Sequence, residues 1–279
     1  MTTTPPGGGG APGAHAADDH KAREIELHRH VAGHYRLRYG TPFASIFQNF
    51  WNAELLDLLP PRIPAPALDN GCGTGILLPD LTDRCDAVFA IDLSPDMLAQ
   101  AAQRAPGVDL REGDLEKLPF PDGFFRTVIC RGSLHHVPSR EKAFAEAFRV
   151  LAPGGLLALT EPSDDFPPVR WARAALYRFS SHFDEHDRAF RLGEVRALLE
   201  ASGFEPAAYK RFGFVSYLLC GFPDVLPVIL WLPGKVPITK LLVAVDRVLA
   251  RIPIVRVSAF HLMAVARKPA APRRAGDSV

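Results

Sequence analysis

The sequence predicts an α/β fold in which β-strands alternate with helices, and three features of the chain indicate this. A short apolar run at 65–68 leads into a turn with glycines at 71, 73 and 75, after which a helix is expected near Ile76. A second apolar run at 87–91 precedes Ser94-Pro95, a pair that typically caps and starts a helix. With 279 residues and 47% hydrophobic content, the chain can bury a substantial core.

The glycine turn is the most informative stretch of the chain. Glycines at alternate positions remove the β-carbons from one side of the turn, so a ligand can lie against the backbone N–H groups. An ordinary surface turn would not need an acid, Asp69, two residues before the first glycine. The dinucleotide fingerprint G-x-G-x-x-G requires a small residue where this chain has Ile76, so a nicotinamide-dependent oxidoreductase is the weaker interpretation.

The pattern D-x-G-x-G-x-G resembles motif I of the class I S-adenosylmethionine-dependent methyltransferases, and other motifs of that family follow in order. They are Asp92 after strand two, Gly113-Asp114 after strand three, the segment 131–137 after strand four, and 151–155 before strand five, which ends at Glu161-Pro162. The resemblance covers about 64–213 and 257–268 and is greatest to the type 11 and ubiquinone/menaquinone-biosynthesis methyltransferases. Arg126 departs from the pattern, because an aspartate usually stands there.

The resemblance implies a Rossmann-like, seven-stranded, mostly parallel sheet with an antiparallel last strand and helices on both faces. We expect a disordered tail at 1–18, a helical cap at 19–63, a methyltransferase domain at 64–268 and a disordered tail at 269–279. An apolar insertion at 214–256 would separate strands six (207–214) and seven (259–267). Further helices are expected at 21–31, 43–59, 167–183 and 192–202.

The implied cofactor is S-adenosyl-L-methionine, and the resemblance assigns residues to it. Asp92 would accept hydrogen bonds from the ribose hydroxyls, and Asp114 would accept one from the adenine amino group. Tyr39, like Tyr35, would either lie near the sulfonium or pack between cap helices. The full predicted set is Asp69, Asn70, Gly71, Cys72, Gly73, Gly75, Asp92, Leu93, Met97, Asp114, Leu115, Arg131 and Tyr39.

The candidate catalytic residues follow strands four and five: His135, His136 and Glu161, with Asp164 nearby. Methyl transfer mainly requires proximity and alignment, but a carbon, hydroxyl or amine acceptor can also need a general base. Some related enzymes place a working histidine where His136 stands, and others have a structural histidine pair there. A protein that binds the cofactor without turnover and docks on membranes is a further alternative.

No metal site is predicted, although 182–186 spells H-x-x-E-H, the inverted zinc-protease signature. So short a pattern arises by chance, and it falls inside the methyltransferase resemblance. His186 is more simply expected to contact substrate.

The predicted insertion is strongly apolar. Pro223 and Pro227 argue against a membrane-spanning helix there. Between 238 and 252, apolar residues recur at three- and four-residue spacing among lysines and arginines. This pattern fits either a lid that buries its own apolar face or a helix lying on an anionic membrane. Either interpretation favours a small, lipophilic acceptor, such as a quinone or phenol ring, a polyketide-like molecule or a lipid.

Composition limits the partners and the compartment. A formal net charge of +1 gives no overall field to recruit nucleic acid. The four cysteines have no paired spacing, and residues 1–17 lack a secretory pattern. We therefore expect a cytoplasmic protein, with peripheral contact at the inner membrane face through 214–256 as the alternative. The acceptor atom and the oligomeric state are left open.

Overall fold

The structure is a computed structural model, and it describes residues 39–179, 188–221, 223 and 226–270. The predicted cap helix at 21–31, Tyr35, the H-x-x-E-H stretch and both tails lie outside the described residues.

Seven strands form one sheet in the order β3-β2-β1-β4-β5-β7-β6. All strands run parallel except β7, which pairs antiparallel with both β5 and β6. This confirms the predicted Rossmann-like architecture. The strands are β1 (Ala67–Asn70), β2 (Val88–Asp92), β3 (Asp109–Glu112), β4 (Phe125–Arg131), β5 (Leu151–Pro162), β6 (Glu205–Phe212) and β7 (His261–Arg267).

The described helices cover the sheet and build the insertion. Along the chain they are α1 (Pro42–Leu56), α2 (Leu78–Thr82), α3 (Pro95–Arg104), α4 (Arg140–Val150), α5 (Pro167–Phe179), α6 (Leu192–Ala201), α7 (Val215–Cys220), α8 (Val228–Trp231), α9 (Lys235–Leu249) and α10 (Pro253–Arg256).

Alternate side chains of the strands face two separate cores. Leu157 and Leu159 of β5 pack on the face covered by α4 and α6, whereas Leu156 and Ala158 pack on the face covered by α1. This alternation is what a strand buried on both sides requires. The two cores therefore fix the register of β5, whose carboxyl end carries Glu161.

The insertion leaves the carboxyl edge of the sheet after β6 and returns at β7. Asp246 of α9 links this helix to the start of α7. Its buried carboxylate accepts from the backbone N–H groups of Phe214, Val215 and Ser216 and from the Ser216 hydroxyl, at 2.7–3.1 Å. Val243 of α9 joins the core that α1 forms on the sheet. One face of α9 is thus buried, as the lid interpretation expects.

Several element boundaries differ from the predictions. The first helix after the glycine turn begins at Leu78 rather than near Ile76, because Gly75 has a positive φ and its carbonyl accepts from the Leu78 N–H, which lengthens the loop. Strand six ends at Phe212, since Gly213 also has a positive φ. Strand one is 67–70 rather than 65–68, and the helix expected at 43–59 ends at Leu56. Among the described helices, none has the length and apolarity needed to cross a membrane.

Candidate active site

The glycine turn closes β1 at the carboxyl edge of the sheet. Gly71, Gly73 and Gly75 have φ values of 83°, 52° and 73°, a region that other residues rarely adopt. A β-carbon at Gly71 would lie 2.5 Å from Cβ of Ser133, and one at Gly75 would lie 2.9 Å from Cα of Ala101. A β-carbon at Gly73 would meet none of the described atoms within 4 Å. Two of the glycines therefore permit close packing, and the middle one borders open space.

The N–H groups of this turn are bonded within the protein. Those of Gly71 and Cys72 both donate to the Ile91 carbonyl, at 3.0 and 2.8 Å. That of Gly73 donates to Oδ2 of Asp92 at 2.8 Å. The sequence led us to expect these groups to face a ligand, but in the structure they tie the turn to β2. These three N–H groups therefore already have acceptors within the protein.

Asp92 ends β2 and is almost fully buried. Its Oδ1 accepts from the Ser94 N–H at 2.9 Å, so each carboxylate oxygen already has one donor and retains one acceptor direction. Ser94 also caps α3, because its Oγ accepts from the N–H of the buried Met97 at 3.4 Å. Leu93, between them, is half-buried. The remaining acceptor directions suit a pair of hydroxyl groups.

Asp69 is the most unusual ionisable group of the site. It is 1% exposed, and among the described residues neither of its carboxylate oxygens has a hydrogen-bond partner. Burial raises the pKa of this carboxyl to about 7; Arg131 opposes the increase and Asp92 adds to it. A buried carboxylate without a partner is costly, which points to a ligand that supplies one.

Arg131 at the end of β4 is the complementary group. Burial lowers its pKa to about 10, and it interacts electrostatically with both Asp69 and Tyr39. Its guanidinium carbon lies 4.2 Å from the centre of the Trp51 ring, and Nη2 donates to Oε1 of Gln48. Its Nε has no acceptor among the described residues. A buried carboxylate without a partner, and a guanidinium whose Nε has no acceptor among the described residues, suit the ammonium and carboxylate of an amino acid, which S-adenosylmethionine carries at one end.

Asn70 ends β1, and Asp114 follows β3. Asn70 donates from Nδ2 to Sγ of Cys130 at 3.5 Å, while its Oδ1 has no partner among the described residues. Oδ1 of Asp114 accepts from the Glu116 N–H at 2.8 Å. The N–H of Gly113 donates to the Asp92 carbonyl at 3.1 Å, so the loops after β2 and β3 are joined, and Leu115 is buried beside them.

The predicted catalytic residues lie together at the ends of β4 and β5. Glu161 is fully buried; Oε1 accepts from the N–H groups of Ser133 and Leu134 at 3.1 and 2.9 Å, and Oε2 is 2.7 Å from Nδ1 of His135. Its carboxylate therefore holds the turn and orients the histidine. The rings of His135 and His136 lie against each other, with centres 3.9 Å apart and planes tilted by 37°.

Asp164 lies farther along and is paired. Its Oδ1 accepts from Nη1 of Arg173 at 2.8 Å, and the same guanidinium donates to the carbonyls of Ser163 and Phe260 at 3.0 Å. This network joins α5 to β7. Asp164 is thus engaged in fixing the fold, and the geometry gives it no base role.

Sequence reasoning missed an aromatic cluster next to these residues. His261 at the start of β7 is buried, its ring centre lies 4.6 Å from those of Trp51 and Tyr217, and Phe212 is 6.5 Å away. Neither imidazole nitrogen has a partner among the described residues, and burial holds the pKa of His261 well below its usual value. The indole N–H of Trp51 donates to Oγ1 of Thr160 at 3.1 Å. We call Trp51, Phe212, Tyr217 and His261 the aromatic cluster.

Within the described residues, no three histidine, cysteine, aspartate or glutamate side chains are placed to hold a metal ion. His182 and His186 lie outside those residues.

The sheet order, the single antiparallel strand and the site at the carboxyl edge are the arrangement that the resemblance to class I S-adenosylmethionine-dependent methyltransferase domains implies. Residues 68–159 match the family Methyltransf_11, described as a methyltransferase domain. These findings confirm the resemblance and favour it over the nicotinamide-dependent alternative.

Individual relatives agree with this class. The chain is 37% identical over 134 residues to a demethylmenaquinone methyltransferase of Thermus thermophilus, covering 46% of this chain and 60% of that protein. It is 26% identical over 240 residues to the ubiquinone/menaquinone biosynthesis C-methyltransferase UbiE of Brucella canis, covering 75% and 89%. The first three relatives are matched over only 39–60% of their own lengths. A solved Thermotoga maritima structure, described as a possible histamine N-methyltransferase, shares the fold with a TM-score of 0.60 at 17% identity, covering 88% and 99%.

Proposed function

We propose that this protein transfers a methyl group from S-adenosylmethionine to a small, lipophilic acceptor. The observation that carries the proposal is the buried Asp69 carboxylate, which has no partner among the described residues and interacts electrostatically with the half-buried Arg131. Asp69 suits the ammonium of the cofactor and Arg131 suits its carboxylate. The open directions of Asp92 suit the ribose hydroxyls, and Asp114 suits the adenine amino group.

The bound cofactor supplies a methyl group already activated by its sulfonium charge. The protein then has to place an acceptor in line with that methyl group and exclude water, since alignment is the main source of rate enhancement in such a displacement. Tyr39 interacts electrostatically with Arg131 and Arg104, which supports including it among the residues that would bind the cofactor.

The acceptor would lie against the aromatic cluster. Trp51, Tyr217 and His261 provide flat, apolar surfaces, and quinone or phenol rings pack well on such surfaces. A neutral imidazole with both nitrogens unpaired can accept from a hydroxyl or donate to a carbonyl of the acceptor. The names of the Thermus and Brucella relatives, a demethylmenaquinone methyltransferase and a ubiquinone/menaquinone biosynthesis C-methyltransferase, support an acceptor of this class.

We assign the general base to His135, with His136 as the second candidate. Glu161 orients His135 through Nδ1, and the remaining nitrogen, Nε2, can take a proton from the acceptor. Glu161 itself is a positioning residue in this scheme, because both of its oxygens are engaged.

The proposal also places the protein in the cytoplasm, with peripheral contact at the inner membrane face through 214–256. A lipophilic acceptor partitions into the bilayer. An enzyme that binds the acceptor at the membrane surface does not depend on slow release of the acceptor into water.

Incubation with methyl-labelled cofactor and fractionated quinones, phenols and lipids tests the proposal. We expect label to enter one of the apolar fractions, and we expect the Asp69→Asn variant to lose this activity while Asp86→Asn, an exposed matched control, retains it. Tight cofactor binding with no labelled product in any fraction would instead indicate the non-catalytic alternative.

A further inference from the structure

We propose that the outer face of α9 and α10, with Trp231, docks on an anionic lipid bilayer. This surface consists of Trp231, Leu241, Val245, Val248, Ile252, Ile254 and Val257 with the neighbouring cations Lys240, Arg247, Arg251 and Arg256, and we call it the docking face. The inference deepens the part of the proposed function that concerns membrane contact, because it names the surface and the lipid charge, and it needs no methyl transfer.

The apolar part of the docking face is unusually exposed. Trp231, Leu241 and Ile254 are 77%, 64% and 81% exposed, and Val248 is 56% exposed. Of the eleven exposed large hydrophobic side chains among the described residues, seven lie between 231 and 257. Isolated exposed apolar residues are ordinary, but a group of this kind marks an interaction surface.

The exposed apolar residues of α9 do not belong to the side of the helix that packs on the core. The buried side of α9 is formed by Thr239, Val243 and Asp246, which follow one another at spacings of four and three residues. Leu241, Val245 and Val248 recur with the same spacing on the opposite side of the helix. The protein thus covers one side of α9 and leaves the opposite, apolar side uncovered, and that side needs a second apolar environment.

The charges identify that environment. Between 226 and 258 the sequence has five lysines and arginines and a single acid, Asp246, which is buried under the helix. Lys240 and Arg247 are seven residues apart and therefore lie along one line beside the exposed apolar side, and Arg251 follows the helix end on the same line. Lys240, Arg247, Arg251 and Arg256 are exposed.

An exposed apolar strip flanked by cations matches the interface of an anionic bilayer, in which acyl chains lie beneath negative headgroups. A protein partner of the same shape would have to present a row of acids beside an apolar groove. A second copy of this face would bring like charges together, which disfavours self-association. The observations therefore favour lipid.

Sedimentation with vesicles tests the inference on the full-length protein. We expect it to bind phosphatidylcholine vesicles containing about a third phosphatidylglycerol, to bind pure phosphatidylcholine much more weakly, and to dissociate as salt is raised. Lys240→Gln/Arg251→Gln should weaken binding about 30-fold, at about 1 kcal/mol per cation near the surface. Leu241→Ser/Ile254→Ser should weaken it at least about tenfold through lost apolar burial.

Two control variants keep the test specific. Arg126→Gln/Lys142→Gln removes the same charge from exposed positions outside the insertion, and Phe124→Ser removes an exposed aromatic ring next to the start of β4. Both should bind as the wild type does, and all variants should retain its circular dichroism spectrum.

Absence of sedimentation with the anionic vesicles, or equal binding by every variant, would overturn the inference. So would a dimer in analytical ultracentrifugation that Leu241→Ser/Ile254→Ser dissociates. Vesicle binding by a protein that does not bind the cofactor would refute the proposed function and leave the docking face intact, so the two failures are distinguishable.

Discussion

Replacing Asp69 with asparagine separates the effect of this side chain on stability from its effect on ligand binding. Burial raises the pKa of the carboxyl to about 7 in the folded protein, against the ordinary aspartate value of 3.8, which applies to the unfolded chain. Between these two pH values the folded state holds a proton that the unfolded state has lost. Stability therefore falls as the pH rises through this window, and the loss is complete above about pH 7.

The size of the effect follows from the shift. About three pKa units correspond to about 4 kcal/mol at pH 8. About 1.5 kcal/mol of this is already lost at pH 5, so about 3 kcal/mol of pH dependence remains between pH 5 and pH 8. The Asp69→Asn variant carries no titrating group there. Its free energy of unfolding, relative to the wild type, should therefore increase by about 3 kcal/mol over that range.

Urea unfolding at pH 5, 6.5 and 8, followed by circular dichroism, measures this difference. Asp86→Asn should show no such trend, because Asp86 is exposed and paired with Arg62. Cofactor titration completes the comparison: wild-type affinity should increase as the pH rises through 7, since an ammonium group selects the ionised carboxyl, and Asp69→Asn should bind at least about 100-fold more weakly. A stability difference that does not change with pH, or an unchanged cofactor affinity, would refute the reasoning.

Other substitutions test the remaining parts of the site. Gly71→Ala should destabilise the fold by about 2–3 kcal/mol in thermal unfolding, because the new β-carbon would clash with Ser133 and the positive φ adds strain. Gly73→Ala should cost only about 1 kcal/mol, because it has the strain without the clash. Equal costs for the two variants would contradict the assigned roles. Glu161→Gln should lower kcat and change its pH profile while leaving cofactor affinity within about twofold, if Glu161 acts through His135; a changed cofactor affinity with an unchanged pH profile would contradict this. His261→Leu should stabilise the unliganded protein by about 1 kcal/mol in urea, by removing unpaired polar atoms, yet raise KM for the acceptor; an unchanged KM would remove His261 from the acceptor site.

Sequence patterns sufficed for the sheet and for the edge of it where the candidate site lies. Strand, glycine turn and acid follow one another locally, so neighbouring residues were enough to predict Asp69, Gly71 and Asp92 as site residues. The bonding of the turn N–H groups could not be assigned in this way, because their acceptor is the Ile91 carbonyl, which belongs to another strand. The late start of α2 likewise depends on hydrogen bonds that a local apolar pattern does not show.

The aromatic cluster was missed for a related reason. Trp51 lies on α1, Tyr217 lies on α7 and His261 starts β7, so three distant parts of the sequence meet only after the sheet has formed. Considered singly, each of these residues fits an ordinary buried position in a helix or a strand. The signal that could have drawn attention to His261 is its position: a histidine begins a strand that is otherwise apolar up to Arg267.

The manner in which the insertion is anchored limits how its role can be studied. Val243, Ile229 and Cys220 belong to the same core as Phe47 of α1, and Asp246 supplies the acceptors for the first turn of α7. Deleting 214–256 would expose the apolar surface of α1 to water. We would therefore expect the shortened chain to aggregate, regardless of the function of the deleted segment. Genetic dissection of this region therefore has to proceed one surface side chain at a time.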